Sequence, residues 1–334
     1  MLITIDGIIY NLQRGGGISV YFNELLDGLS NKNFDFEVLA YKNANAPFSR
    51  EENKKPLRPF ERYRDVKNVN GSVLHSSYYR VSESSKKKNI TTVHDFTYEK
   101  YVPGAARLVH SWQKRKAVLK SDIVICISQN TANDLLELYG IKENKIRVIY
   151  NGASKEYMPV DTPIKNKNKV LFVGSRFGYK NFHLAVKAIA LTPSLHLRIV
   201  GGGSLTKKEI FLLEQYLPNR YHWVGQLTNA DLNIEYNSAY ALLYPSSYEG
   251  FGIPIVEAMQ AGCPVIAVNA SSIPEVAGSA AILVDTADVY LLKDALESIA
   301  ASREKLIAAG IIQAKKFSWA QCVCETINVY NEVL

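Results

Sequence analysis

Short apolar, β-branched runs alternate along the chain with stretches whose apolar positions recur every three to four residues. That alternation is the mark of α/β units on parallel sheets. Leu2–Ile9 reads as a first strand, followed by a glycine turn at Arg14-Gly15-Gly16-Gly17. The next segment predicts a helix whose apolar face is Ile18, Phe22, Leu25, Leu26 and Leu29. Phe36–Ala40, Ser72–Leu74, Ile90–Val93 and Ile123–Ile127 continue the strand series, and Thr131–Tyr139 predicts a helix. Residues 43–68 are polar, basic and proline-containing, and are expected to be a mobile excursion from the core.

A second series begins after Asn151-Gly152, Pro159 and Pro163, which places a linker near 151–165. Its strands are Val170–Val173, Leu197–Val200, Tyr221–Val224, Ala241–Tyr244 and Pro264–Val268, with helices over 254–261, 288–310 and Trp319–Leu334. The expected division is therefore residues 1–157 and 158–318, with 319–334 returning to the first domain. The 334 residues also suit two cores better than one. Two such domains would face each other across a cleft at the carboxyl ends of their strands, where open α/β sheets bind ligands.

Composition narrows the function classes. Apolar residues are 47% and charged residues 21%, which is globular and not disordered. The four cysteines, Cys126, Cys263, Cys322 and Cys324, form no Cys-x-x-Cys pair and no metal-ligand spacing, so no disulfide or zinc framework is expected. No apolar run approaches the ~18 residues of a membrane span. The N-terminus lacks a basic leader, and a cytoplasmic protein, peripheral at most on the inner membrane face, is expected. The net charge of +7 is uneven: residues 1–157 hold 24 Lys+Arg against 17 Asp+Glu, and 158–334 hold 15 against 15. Either this is a solvated basic face or it attracts an anionic surface, such as phospholipid headgroups or a polyprenyl diphosphate acceptor. No nucleic-acid motif accompanies it, so no nucleic-acid partner is expected.

The most informative chemistry is Glu249-Gly-Phe-Gly-Ile-Pro-Ile-Val-Glu257, which follows the strand Ala241–Tyr244. Pro254 suits the first turn of a helix and Gly262 its C-terminal cap. Glu257 is then expected in the first helical turn, favoured by the dipole, while Gly250 and Gly252 let backbone N–H groups approach an anion. Two carboxylates eight apart around such a loop can bind two hydroxyl-bearing rings with a phosphate between them. Taken singly they are an ordinary surface acid and an ordinary helix-start acid; the shared glycine loop argues for the ligand.

Val173-Gly-Ser-Arg-Phe-Gly-Tyr-Lys-Asn181 supplies two cations, Arg176 and Lys180, just past a strand. A helical turn would set both on one side, where they could neutralise a diphosphate leaving group, unless they are a solvated surface pair. No Asp-x-Asp pair is present to hold Mg²⁺ or Mn²⁺, so neither metal nor other cofactor is expected. In the first half, Gly16 and Gly17 form no Gly-x-Gly-x-x-Gly dinucleotide fingerprint and could be a simple tight turn. His94 and His75 both end strands and are either cleft groups or satisfied core histidines. Tyr78, Tyr79, Tyr98 and Tyr101 are candidate sugar-stacking platforms on the acceptor side.

These segments resemble the retaining group 1 (family 4) glycosyltransferases of the GT-B fold. The matching text is Tyr150-Asn-Gly152, Val173-Gly-Ser-Arg176, Lys180-Asn181, Val200-Gly-Gly-Gly203, Pro245-Ser-Ser-Tyr-Glu249-Gly-Phe-Gly-Ile-Pro, Glu257-Ala-Met-Gln-Ala-Gly-Cys-Pro-Val265 and Ile273-Pro-Glu275-Val. The first half matches more thinly, through Gly16-Gly17-Ile-Ser-Val-Tyr21, His94-Asp95 and Ile127-Ser128, and resembles bacterial mannosyl- and rhamnosyltransferases of O-antigen and capsule assembly. The resemblance implies that Arg176 and Lys180 contact the donor diphosphate and Glu257 the ribose. It also implies that Glu249 faces the transferred sugar, with the amides of Phe251, Gly252 and Ile253 near sugar and phosphate. Gly225 and Leu227 would border the base, Gly16 and Gly17 would reach the diphosphate, and His94 the sugar or reacting region.

The implied activity is retaining hexosyl transfer from a nucleotide diphosphate sugar, GDP-mannose-like before UDP-sugar, to a glycan or polyprenyl-diphosphate-linked acceptor in lipopolysaccharide or capsule synthesis. No placed nucleophile is evident on the far sugar face, which favours front-face displacement. The alternative is a non-catalytic nucleotide-sugar-binding subunit of a glycan assembly complex, against which Gly16, Gly17 and His94 speak.

Overall fold

The computed structural model describes residues 2–13, 15–160 and 168–334. Arg14 of the glycine turn and residues 161–165 of the expected linker lie outside the described residues. The elements run β1 (Ile3–Asp6), α1 (Ile9–Leu12), α2 (Gly17–Asn31), β2 (Phe36–Leu39), β3 (Val73–Ser76), β4 (Lys88–Val93), α3 (Thr97–Tyr101), α4 (Ala105–Lys120), β5 (Ile123–Cys126), α5 (Gln129–Tyr139) and β6 (Ile146–Val148). They continue with β7 (Lys169–Val173), α6 (Phe182–Ala190), β8 (His196–Val200), α7 (Lys207–Tyr216), β9 (Tyr221–Gly225), α8 (Asn229–Ser238), β10 (Ala241–Tyr244), α9 (Ile253–Gln260), β11 (Val265–Val268), α10 (Ile273–Ala277), β12 (Ile282–Val284), α11 (Val289–Ala314) and α12 (Trp319–Glu332).

The chain forms two compact units, Met1–Asn151 with Trp319–Leu334, and Gly152–Ser318. The division falls at Asn151, a few residues before the expected 157. Residues from Gly152 onward are held by the second unit: Ala153 bridges Ser318, and the Ser154 carbonyl accepts from the Gln260 amide at 3.1 Å.

The first unit carries one parallel sheet in the order β2-β1-β3-β4-β5-β6. Its inner strands β1, β3 and β5 are buried at every position; β5 is an apolar run, while β1 and β3 also bury the polar Thr4, Asp6, His75 and Ser76. α2 buries Tyr21, Phe22, Leu25, Leu26 and Leu29. α12 lies against α2 so closely that a side chain at Gly28 would collide with Val323, 2.5 Å from the position a Cβ would take. The expected strand Leu2–Ile9 ends at Asp6, because the chain turns at Gly7 into α1.

The excursion over 43–68 is tied to this unit. Glu61 is buried and pairs with Arg80 at 2.8 Å, and Arg80 also pairs with buried Asp6 at 2.9 Å and donates to the Tyr41 hydroxyl. Burial of an ionised group demands such partners, and three elements distant in sequence supply them.

The second unit carries a parallel sheet in the order β12-β11-β10-β7-β8-β9. β7 is central, and a buried apolar cluster including Val170, Phe172, Val186, Ile189 and Leu296 packs helices on the sheet. The carboxyl ends of β10 and β8 therefore flank the carboxyl end of β7, which places the 174–181 loop beside both the 201–206 and 245–252 loops. Among the described residues no helix is long and apolar enough to cross a membrane.

Candidate functional site

Arg176 and Lys180 leave the same loop after β7 and reach to opposite flanks. The Arg176 guanidinium turns toward β8. It pairs with Glu209 at 2.8 Å and donates to the carbonyls of Gly201, Gly202, Gly203 and Ser204 at 3.0–3.2 Å. The three glycines all have positive φ. A Cβ on Gly202 would lie 2.5 Å from Arg176 Nη1 and 2.6 Å from the Gly174 carbonyl oxygen, so only glycine fits there. This glycine run turns carbonyls onto a cation; in the described structure it is no N–H cradle.

Lys180 turns toward β10. It ends a 3₁₀ turn (Gly178–Lys180), after which Asn181 adopts the left-handed region at φ 53°. The Asn181 side chain donates to the Pro245 carbonyl at 2.9 Å and to Ser247 Oγ at 2.7 Å. That clamp joins the β7 and β10 loops and delivers Lys180 Nζ to the Glu249 carboxylate, with the Tyr244 hydroxyl at 3.5 Å. The expectation that a helical turn sets both cations on one side fails, because Phe177 between them is extended at ψ 158° and the 3₁₀ turn begins only at Gly178.

Glu249 is fixed from below by two serines that sequence reading did not single out. Its N–H donates to Ser271 Oγ at 2.8 Å, and Ser272 Oγ donates to the carbonyls of Glu249 and Phe251 at 2.9 and 3.0 Å. The signal available was a serine pair between β11 and a Pro-containing helix start. Phe251 is buried, its ring edge-on to Phe317 at 5.5 Å, so its backbone is what it can offer a ligand. Gly252 takes φ 101° and starts α9 with Ile253 and Pro254.

Glu257 lies in the second turn of α9, a correction to the expected first turn, since the helix starts at Ile253. The dipole is therefore not its main influence. Burial raises its carboxyl to about 7, and hydrogen bonds from the Tyr236 hydroxyl (2.9 Å) and Tyr157 oppose that rise. Tyr244 senses both Glu249 and Glu257, which with burial push its hydroxyl well above the ordinary tyrosine range. Lys180, Tyr244, Glu249 and Glu257 thus form one electrostatic group at the carboxyl ends of β7 and β10. Gly225 ends β9 and Leu227 lies just past it, two strands from β7; the Gly225 carbonyl accepts from the Gly201 N–H at 2.7 Å.

In the first unit, Gly16 caps α2 through Ser19, whose Oγ accepts from the Gly16 N–H at 3.0 Å. A side chain at Gly15 or Gly17 would meet open space, so neither is glycine for want of room inside the unit. His94 directly follows β4, is buried, and meets the Tyr21 ring edge-on at 5.2 Å. Its Nε2 has no hydrogen-bond partner among the described residues, and burial lowers its basicity to about 4, so it is neutral near pH 7. His75 differs: its two ring nitrogens bond the Tyr330 hydroxyl at 2.7 Å and Thr92 Oγ1 at 2.8 Å, which makes it a core link between β3, β4 and α12. Of the candidate tyrosines, Tyr79 is buried, Tyr78 half-buried, and Tyr98 and Tyr101 are exposed, with Tyr98 stacked on His110 at 4.0 Å. Among the described residues no cluster of His, Cys, Asp or Glu is set to hold a metal ion.

Two doubly wound parallel-sheet units in one chain, one with a cation, two carboxylates and a glycine-started helix at its strand ends, define the GT-B class of fold. The comparisons agree. The family described as "Glycosyl transferases group 1" matches residues 153–316, and "Glycosyltransferase Family 4" matches 15–157. The chain belongs to the group 1/family 4 glycosyltransferases.

The chain is similar to the "O-antigen chain mannosyltransferase B" of Escherichia coli, 28% identical over 73% of this chain and 70% of that protein. It is also similar to the O-antigen chain mannosyltransferase RfbU of Salmonella typhimurium, 28% identical over 62% of this chain and 60% of that one. Among solved structures, the sucrose-phosphate synthase of Thermosynechococcus elongatus shares the fold at TM-score 0.81 and 19% identity, over 100% of this chain and 99% of that chain. Anabaena HepE, in complex with UDP and glucose, shares it at TM-score 0.74 and 17% identity, over 99% of each.

Proposed function

We propose that this glycosyltransferase moves a hexosyl group from a nucleotide diphosphate sugar to a glycan or polyprenyl-diphosphate-linked acceptor of a surface polysaccharide, retaining anomeric configuration and using no metal. A mannosyl donor carrying GDP is favoured by the O-antigen mannosyltransferase relatives, with a UDP-sugar next because HepE holds UDP. The observation that carries the reading is the Lys180–Glu249–Tyr244 group beside Glu257, where a cation and two carboxylates gather at the ends of two neighbouring strands.

Each residue then has a task in the donor half of the reaction. Lys180 exchanges Glu249 for the leaving diphosphate and offsets the charge that develops as the glycosidic bond breaks. Glu249, released from that ion pair, accepts hydrogen bonds from the sugar hydroxyls. The N–H groups of Phe251, Gly252 and Ile253 add donors at the start of α9. Glu257 in its ionised form accepts from the ribose. Arg176 acts on the diphosphate either directly or by holding the Gly201–Ser204 turn in place; its hydrogen bonds favour the holding role. The departing phosphate oxygen takes the acceptor proton, so that the bond to the acceptor oxygen forms on the face the leaving group vacates. In the first unit, His94 and the Gly16–Gly17 turn are the candidates for contact with the reacting groups, His94 because its buried Nε2 is unpartnered.

The test is a donor panel. GDP-mannose is expected to give the largest thermal stabilisation, slow release of GDP without acceptor, and transfer with a lipid-linked oligosaccharide. A chain that binds a donor yet releases no nucleotide under any acceptor is a binding subunit and not an enzyme.

A further inference from the structure

α4 carries five cations and no acid over Ala105–Lys120, and its two faces are engaged differently. On the inner face Lys114 is buried. Its Nζ donates to the Asp95 carbonyl and pairs with Glu99, both at 2.8 Å, which fixes the turn directly after His94. On the outer face Leu108, Trp112 and Leu119 fall on one stripe with Arg115, at intervals of four, three and four residues. They are 65%, 57% and 51% exposed. Isolated apolar side chains on a surface are ordinary; here a tryptophan and two leucines line up along one exposed face of a helix.

The charges around the stripe indicate what it contacts. Lys116 lies 5.9 Å from the Trp112 ring, and Lys116 and Lys120 share a single acid, Asp65. Past the end of α4, Lys120 and Asp122 line a hollow of about 370 Å³ with Lys86, Lys87 and Lys88. Of these lysines, Lys88 pairs with Asp122 at 3.0 Å, and Lys87 Nζ donates to the Asn70 carbonyl. Across stripe and hollow, Arg115 and the five lysines meet Asp65, Asp122 and Glu83, an excess of three positive charges.

We propose that the outer face of α4 and the Lys86–Lys88 hollow dock the first unit on an anionic lipid bilayer. Leu108, Trp112 and Leu119 enter the headgroup–acyl boundary, and the lysines meet the lipid phosphates. A tryptophan among leucines, bordered by lysine and arginine, suits that boundary, where the ring has an apolar environment and its N–H stays hydrated. The charge excess complements an anionic surface, each cation adding about fivefold in partition. The docking does not depend on the sugar-transfer reading. If that reading holds, the same helix, through Lys114, sets the His94–Asp95 turn at a defined depth from the membrane that carries a lipid-linked acceptor.

The experiment is flotation of the full chain, without donor, on phosphatidylcholine vesicles and on vesicles with about one third phosphatidylglycerol. Binding is expected only to the anionic vesicles and should weaken as salt rises. The pair Trp112→Ser with Leu119→Ser is expected to lower partition at least about tenfold. The pair Lys86→Gln with Lys87→Gln should lower it about 25-fold. These side chains are exposed, so melting temperatures should stay within a few degrees of the parent chain, which separates lost docking from lost folding. No binding, equal binding to neutral and anionic vesicles, or undiminished binding by both variants overturns the proposal. So does self-association abolished by the Trp112 and Leu119 changes without vesicle binding, which would make the stripe a contact between copies. Loss of sugar transfer with intact flotation would count against the proposed function alone.

Discussion

Lys180 and Glu249 are ion-paired at the carboxyl ends of neighbouring strands, held together by Asn181, which bridges the loops that carry them. Under the proposed function the pair is the donor-free form of the site: each partner satisfies the other until a ligand with both a diphosphate and a hydroxylated ring displaces the contact.

Lys180→Ala is therefore expected to lower kcat by about 10²–10³ while the fold persists, since Lys180 is only partly buried and Glu249 keeps its backbone anchors on Ser271 and Ser272. Glu249→Gln should free Lys180 and raise KM for the sugar nucleotide more than it raises the inhibition constant of the free nucleoside diphosphate. Steady-state kinetics with competition by the diphosphate checks both. Near-normal turnover in Lys180→Ala would remove the phosphate role.

Arg176→Ala should differ from Lys180→Ala by unfolding more easily. Its guanidinium serves four carbonyls and Glu209, and its side chain is almost fully buried. Removing it leaves those acceptors without their donor, at a cost of about 3 kcal/mol. Arg176→Lys cannot reproduce the forked geometry and should recover only a minor part. Urea unfolding of the second unit measures this; stability unchanged in Arg176→Ala would reassign the arginine to the ligand alone.

Glu257 predicts a pH dependence with a definite sign. Its folded carboxyl is raised to about 7 from an ordinary 4.5, so between those values the folded chain holds a proton that the unfolded chain has released. Its contribution therefore falls as pH rises through that window, by up to about 1.4 kcal/mol per pH unit. Glu257→Gln should melt higher than the parent at pH 8 and show a flatter profile. Donor binding runs the other way: the ribose needs the ionised form, so affinity should weaken as pH drops below about 7, and this dependence should vanish in Glu257→Gln. Melting and titration calorimetry from pH 5 to 8 separate the two effects.

Arg80 joins β1 to the 43–68 segment through Asp6 and Glu61. Arg80→Met would leave buried Asp6 without its cation, while Glu61 keeps its pair with Arg58, and should destabilise the first unit by about 3–5 kcal/mol. The double change Asp6→Asn, Arg80→Met should recover most of that loss, because Glu61 and Arg58 still neutralise each other. Proteolysis within residues 43–68 reports whether the segment has come loose.

Periodicity was enough for most strands, because buried parallel strands appear as short β-branched runs bounded by turn residues. β10 was read at its observed bounds, Ala241–Tyr244. It was not enough for α4, β6 and β12. α4 buries Gln113 and Lys114 on its inner face and exposes leucine and tryptophan among its other cations, so its pattern does not resemble a buried helix, and β6 and β12 are edge strands of only three residues. Around the site, the residue types and spacing of Glu249 and Glu257 were legible, since a loop of glycines between two acids is a local feature. Ser271, Ser272, Tyr236 and Tyr157 were not, since each acts from another element.

The sequence by itself determined the class of fold, the family and the identities of the charged groups at the strand ends, because these follow from local pattern and from motifs within a few residues of one another. Only the tertiary structure decided how those charges are spent. Strand order puts β8 on one side of β7 and β10 on the other, which sends Arg176 to a carbonyl-lined turn and Lys180 to a carboxylate. Burial beside two tyrosines, and not helix position, sets the proton affinity of Glu257. Solvation and partner geometry depend on neighbours far along the chain, and no window of sequence contains them.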